Sequence, residues 1–258
     1  MNGSTRPRAL VTGASSGIGI ELARQLARDG HDLVLSARRA APMHALAAEL
    51  DAHGADSVVI PVDLSKPEAA SELAAAVETR GLLIDVLVNN AGLGGIGRFD
   101  QLEPRRIGEM LHVNVVALTE LTRLFLPAMV ARRRGKVMLV ASTAGFQPGP
   151  RMAVYFATKA YVLSLGEALA YELRGTGVTV TTLCPGATAT EFFKVAGSNT
   201  ALQPAMSASE VARLGYRALK AGRRVAITGT LNRILAVGGR YGPHSITLPA
   251  TAALMARR

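Results

Sequence analysis

At 258 residues, 49% of them hydrophobic, the chain can bury a full core and is most simply read as one domain. A formal net charge of +10 raises nucleic acid, an anionic membrane or an anionic small ligand as partners. However, there is no tryptophan, aromatics make up 4%, and the arginines are scattered, so nucleic acid is excluded as the expected partner. A single cysteine, Cys184, rules out an intrachain disulfide or a cysteine zinc site, and no His/Glu cluster suggests a metal.

The opening "MNGSTRPRAL" runs into an apolar strand without a hydrophobic signal region. With the lone cysteine, this leads to a cytoplasmic expectation. No apolar run approaches the roughly eighteen residues that a membrane span needs. Strand-like runs then alternate with helical ones. "RALVTG" is followed by "GIELARQLARDG", "DLVLSA" by "APMHALAAELDAHG", and "DSVVIPVD" by "KPEAASELAAAVETRG". Gly30, Gly54 and Gly81 stand where C-terminal caps belong. "IDVLVNN", "GKVMLVAS", "GVTVTTLCPG" and "RRVAIT" complete seven strands, with long helices expected over 103–134 and 152–174. "ARRR" at 131–134 sits at a helix end, where the dipole favours cations. Near-continuous apolar strands joined by helices predict an α/β fold, a doubly wound, Rossmann-type parallel sheet with helices on both faces. Its ligand site is expected beyond the carboxyl ends of the strands.

The chemistry-bearing residues fall at those ends. "TGASSGIG", residues 12–19, places Gly13, Gly17 and Gly19 between the first strand and the first helix. Small residues there let the backbone and the helix N-terminus approach a pyrophosphate, and Ser15, Ser16 and Ile18 lie in the same turn. At the end of the second strand, Ala37 stands where an NAD site commonly has a carboxylate, and Arg38 and Arg39 follow. Guanidinium in place of carboxylate suits a 2′-phosphate, so NADP(H) is expected over NAD(H). In "YFATK", Tyr155 and Lys159 are one helical turn apart. Such a pair either stabilises the helix slightly or lowers the phenol's pKa.

Seven motifs in order resolve that choice: "TGASSGIG", "VDL" (62–64), "NNAG" (89–92), Asn114 in "HVNVVAL", Ser142 in "VASTAG", "YFATK" and "PGATAT" (185–190). Together they make the chain resemble the short-chain dehydrogenase/reductase family to about residue 230. The resemblance implies an oxidoreductase that interconverts a carbonyl and an alcohol. Tyr155 would be the general acid/base and Lys159 would lower its pKa and bind the nicotinamide ribose. Ser142 would orient the substrate oxygen, and Asn114 would hold a water in a proton relay. It also implies that Asp63 and Leu64 meet the adenine and that Asn90, Ala91 and Gly92 form the wall near its ribose. Pro185, Gly186, Thr188 and Thr190 would flank the nicotinamide. Thr143, expected in a strand, would point away from Ser142's face. Tyr161, His112 and Cys184 are read as packing residues. A homodimer or homotetramer is implied, with the two long helices as a dimer contact.

The segment 191–207, "EFFKVAGSNTALQPAMS", occupies the substrate lid, and Phe192, Phe193 and Met206 suggest an apolar pocket. Residues 230–258 are basic and apolar together and lack the strand pattern seen before. They are expected to pack over the cleft, contact another subunit or touch a membrane surface weakly, and they favour a hydrophobic or lipid-like substrate. The rival reading is a catalytically silent NADP(H)-binding sensor or scaffold.

Overall fold

The computed structural model describes residues 6–197 and 205–256. The first half alternates β1 (Arg8–Thr12), α1 (Gly17–Arg28), β2 (Asp32–Ala37), α2 (Ala40–Asp51), β3 (Ser57–Pro61), α3 (Ala69–Thr79) and β4 (Val86–Asn89). Gly30, Gly54 and Gly81 all take positive φ, as expected of residues that close helices in the left-handed region. Next come α4 (Pro104–Leu111), a π-helical turn over His112–Ala117, and α5 (Leu118–Ala131). β5 (Gly135–Val140), α6 (Ala153–Glu172) and β6 (Val178–Cys184) follow. After β7 (Thr188–Ala189), α7 (Phe192–Val195) and β8 (Met206–Ser207), the chain ends with α8 (Ala208–Lys220), β9 (Val225–Ile227), α9 (Thr230–Tyr241) and α10 (His244–Ala256). The β7–β8 pair is a small second sheet that the sequence pattern does not reveal.

The main sheet is seven-stranded and parallel, in the order β3-β2-β1-β4-β5-β6-β9. Period-2 alternation assigns its two faces. Ala9 and Val11 of β1 pack with Leu33, Leu35 and α1, while Leu10 packs with Val34 and Leu87 on the other side. Both faces are dry, so every strand reads as apolar throughout. The order reverses between β1 and β4, which places the crevice above those two strands.

Two local expectations need correction. Helix Pro104–Ala131, 28 residues containing an 18-residue stretch with a mean hydropathy of 1.4, is long and apolar enough to cross a membrane by length and composition. Scattered charges hide this in a search for unbroken apolar runs. Its inner side, with Met110, Val113, Leu118, Leu121 and Met129, is part of the core. The arginines after α5 also do not serve their own helix. Arg132 donates to the Ile84 carbonyl at 3.0 Å, Arg133 to that of Gly175 at 3.1 Å, and Arg134 lies 3.5 Å from Asp85. They pin the loops that lead into β4 and β6.

Candidate active site

A cleft of about 830 Å³ opens at the carboxyl ends of the strands. One end is the β1–α1 turn. Gly13 (φ +67) and Gly17 (φ +55) adopt conformations that favour glycine, and side chains there would also collide. A Cβ on Gly13 would come within 2.8 Å of Asn90 Nδ2, and one on Gly17 within 2.8 Å of Thr190 Cγ2. Gly19 does not line the cleft. Its bare Cα lets α1 press against the Gly13 carbonyl, so its role is packing. Asn90 supports this turn from behind, with Nδ2 donating to the carbonyls of Thr12 (3.0 Å) and Gly13 (3.3 Å). Ser15 and Ser16, with Gly17 and Ile18 at the start of α1, face the opening, a cradle of small residues and helix N-terminus that fits a dinucleotide's pyrophosphate.

At the β2 end, Ala37, Arg38, Arg39, Asp63 and Leu64 line the same cleft. Asp63 Oδ1 accepts from the Ser65 hydroxyl at 2.8 Å and its backbone N–H at 3.1 Å. Burial opposes its ionisation, yet these bonds and the field of Arg38 hold the carboxyl below its usual range. Arg39 spans the cleft, donating to Glu191 Oε2 at 3.0 Å and to the Ser15 carbonyl at 3.3 Å.

The middle of the cleft holds Ser142, Tyr155 and Lys159. β5 ends at Val140, and Ser142 is the N-cap of a 3₁₀ turn over Thr143–Phe146, its Oγ accepting from Ala144 N–H at 3.1 Å. Ser142 also donates to the Pro185 carbonyl at 3.3 Å. Strand alternation therefore does not separate Thr143 from Ser142, and both line the cleft. Tyr155 and Lys159 project from α6 and are buried, with Lys159 Nζ 5.8 Å from the tyrosine ring centroid. Nζ donates to the Val140 carbonyl at 2.8 Å.

The expected lowering of the tyrosine pKa is not seen. Burial pushes the Tyr155 phenol up to about 12, against a smaller downward pull from its bond with Ser142. Burial also brings the Lys159 ammonium down to about 8. Desolvation is the largest cause of both shifts, and the hydrogen bond the ammonium makes is to a strand carbonyl. Cys184, buried at the end of β6, is pushed up to about 12 by burial, which suits an inert thiol. Tyr161 is exposed and shares a 3.0 Å hydrogen bond with Thr119, off the site.

Asn114 lies behind the wall, in the π-helical turn, a rare local geometry. Its Nδ2 donates to the Leu93 carbonyl (2.9 Å) and Thr158 Oγ1 (3.0 Å), and its Oδ1 accepts from Leu93 N–H (2.8 Å). One lone pair of Oδ1 remains. A Cβ built on Gly92 would lie 3.5 Å from that oxygen and 3.4 Å from Lys159 Nζ. A methyl at Gly92 would thus touch both groups at ordinary van der Waals distance, which sets this residue beside Lys159 as well as in the wall of the cleft.

Beyond Tyr155 the cleft is apolar. Phe192 of α7 lies 5.1 Å from the tyrosine ring, ring centre to ring centre, and Phe193 and Met206 also line the space. Residues 198–204 of the expected lid lie outside the described residues. Pro185, Gly186, Thr188 and Thr190 form the adjoining wall. Phe156 of "YFATK" adds to the apolar lining, as do Met152, Leu231, Leu235 and Met255, which belong to no motif. Gln147 donates to Thr251 Oγ1 at 2.9 Å, tying α10 to the turn that begins at Ser142. Glu191 was also missed, since a carboxylate 152 residues from Arg39 carries no sequence signal of their pairing.

The short chain dehydrogenase family model matches residues 7–201. A short-chain dehydrogenase from Sphingobium yanoikuyae in complex with NADPH is 35% identical over 93% of this chain and 96% of that one, with a TM-score of 0.83. A short-chain dehydrogenase/reductase from Burkholderia phymatum in complex with NAD is 26% identical over 92% and 94% of the two chains, with a TM-score of 0.80. The 1-deoxy-11-beta-hydroxypentalenate dehydrogenase of Streptomyces exfoliatus is 36% identical over 83% of this chain and 80% of its own. Alignments with other curated relatives span between 60% and 70% of their length. The chain belongs to the short-chain dehydrogenase/reductase family, oxidoreductases that use a nicotinamide cofactor.

Proposed function

We propose that this protein is an NADP(H)-dependent carbonyl reductase or alcohol dehydrogenase whose substrate is hydrophobic or lipid-like. The observation that carries the reading is the meeting of Ser142, Tyr155 and Lys159 where the glycine cradle gives way to an apolar chamber. When bound, the reduced nicotinamide supplies the hydride. The neutral Tyr155 phenol gives its proton to the carbonyl oxygen, and Ser142 donates a hydrogen bond that fixes and polarises that oxygen. The charged Lys159 stabilises the phenolate as it forms, the phenolate regains its proton from the ammonium, and Lys159 is reprotonated in turn through the space beside Gly92 and Asn114. Gly13, Ser15, Ser16, Gly17 and Ile18 would hold the pyrophosphate, and Asp63 and Leu64 the adenine. Arg38 and Arg39, with Ala37 in place of a carboxylate, support the 2′-phosphate. Pro185, Gly186, Thr188 and Thr190 would hold the nicotinamide.

A homodimer through α4–α5 and α6 is supported by the exposed Leu111, Val116, Leu124 and Tyr161 on those helices. The single buried cysteine agrees with a cytoplasmic location. Helix α9 turns Ile234, Val237 and Tyr241 away from the cleft and small Ala236 and Gly239 inward, and it carries Arg233 and Arg240. That inverted pattern supports weak contact with an anionic membrane surface.

The test is cofactor oxidation with a panel of ketones and aldehydes, using NADPH and NADH separately. Turnover of bulky apolar ketones with NADPH, at least about tenfold faster than with NADH, is expected. Faster turnover with NADH would refute the cofactor assignment. Tight NADPH binding without turnover of any substrate would favour the sensor or scaffold.

A further inference from the structure

The Arg39–Glu191 pair crosses the cleft at the place proposed for the 2′-phosphate, and the two side chains have different duties. Arg39 follows β2, and Glu191 opens the lid segment, directly after Thr190, whose methyl packs against Gly17, and directly before Phe192. Nη2 of Arg39 reaches Glu191 Oε2 at 3.0 Å, and both side chains are more than half exposed. Arg38 makes no hydrogen bond or ion pair among the described residues, and acts on Asp63 only through its field. Of the two arginines that follow the short end of β2, one is therefore committed to a carboxylate of the chain itself.

We infer that Glu191 is a specificity-determining residue for the cofactor. Its carboxylate competes with a 2′-phosphate for Arg39. This rests on the NADP(H) reading above. A carboxylate and a phosphate cannot both occupy one guanidinium edge without like charges at close range, so the phosphate must displace Glu191. An exposed ion pair is weakly held, so displacement is feasible, but the freed carboxylate stays beside the incoming dianion. Glu191 thus reduces the preference for a 2′-phosphate below what two unengaged arginines would give. For a cofactor with a bare 2′-hydroxyl, the Arg39–Glu191 pair stays intact.

The test uses adenine nucleotides that lack the nicotinamide, so it reads binding and not turnover. The full chain is titrated calorimetrically with 2′,5′-ADP and with 5′-AMP. Glu191→Gln is expected to tighten 2′,5′-ADP by about fivefold while 5′-AMP changes less than about twofold, as befits one screened charge contact. Introducing Arg39→Gln as well should remove that gain, the signature of two groups acting on each other. Equal tightening of both nucleotides, no tightening of either, or a gain that survives Arg39→Gln would each overturn the inference. If Arg39→Gln alone weakens 2′,5′-ADP but Glu191→Gln changes nothing, the inference fails while the NADP(H) reading stands. If neither Arg38→Gln nor Arg39→Gln alters the ratio of the two affinities, both fail together.

Discussion

The nucleotide end and the C-terminal quarter of this protein follow opposite rules. Residues 192–258 hold ten Lys/Arg against one Asp/Glu, a net +9 out of the chain's +10, so the first 191 residues are almost neutral. At the nucleotide end, large apolar side chains such as Leu10, Leu33, Leu35 and Leu87 point inward and are wholly buried. In α9, Ile234 is 64% exposed and Tyr241 77%, while Ala236 and Gly239 face the cleft and Gln147. The first region is built around main-chain geometry that any dinucleotide requires. The second lines the apolar end of the cleft and leaves large apolar side chains exposed on its other side.

Substitutions can break this contrast at either end. The largest effect should come from Gly17→Val, which forces a β-branched residue to φ +55 and pushes it into Thr190. Strain of about 1–3 kcal/mol should weaken NADPH binding roughly 5- to 150-fold, as measured by fluorescence titration. Unchanged affinity would mean that the turn is not the phosphate cradle.

Gly92→Ala should lower kcat by about tenfold with little change in NADPH affinity, because its methyl fills the space between Lys159 Nζ and Asn114 Oδ1. Equal losses in binding and rate would point to plain wall packing instead. The pH profile sharpens the same point. Lys159 titrates near 8 in the free protein, so kcat/KM for reduction should be level below that pH and fall as pH rises through it. The sign follows from the charge: the neutral amine no longer stabilises the forming phenolate. Tyr155, near 12, stays protonated throughout that range and contributes no second limb.

The smallest effect belongs to the outer face. Ile234→Glu should leave turnover of a soluble ketone within about twofold. The same variant should reduce co-sedimentation with phosphatidylglycerol vesicles while pure phosphatidylcholine vesicles bind neither form. Equal sedimentation of both forms would show that α9 is not the contact.

The legibility of the sequence follows the same division. Alternating apolar strands and glycine-capped helices gave away the parallel sheet, because a sheet covered on both faces demands them. The glycine turn, "YFATK" and Ser142 were legible because their chemistry needs fixed residue types at fixed spacing. Gly19 and Asn114 were singled out by their motifs, and both lie behind the wall of the cleft rather than in it. Direction of titration was not legible, since the balance between burial and the Lys159 charge depends on where Nζ points. Leu231, Leu235, Met255 and Glu191 were invisible because their positions depend on tertiary packing alone.

The central claim is that Tyr155 is the proton donor in a cleft whose nucleotide end works independently of it. Measuring kcat and NADPH affinity together for Tyr155→Phe tests this most directly. NADPH binding within about threefold of the parent with kcat reduced by about 10²–10⁴ is the predicted result. Retained turnover in Tyr155→Phe would show that another group supplies the proton and would contradict the account.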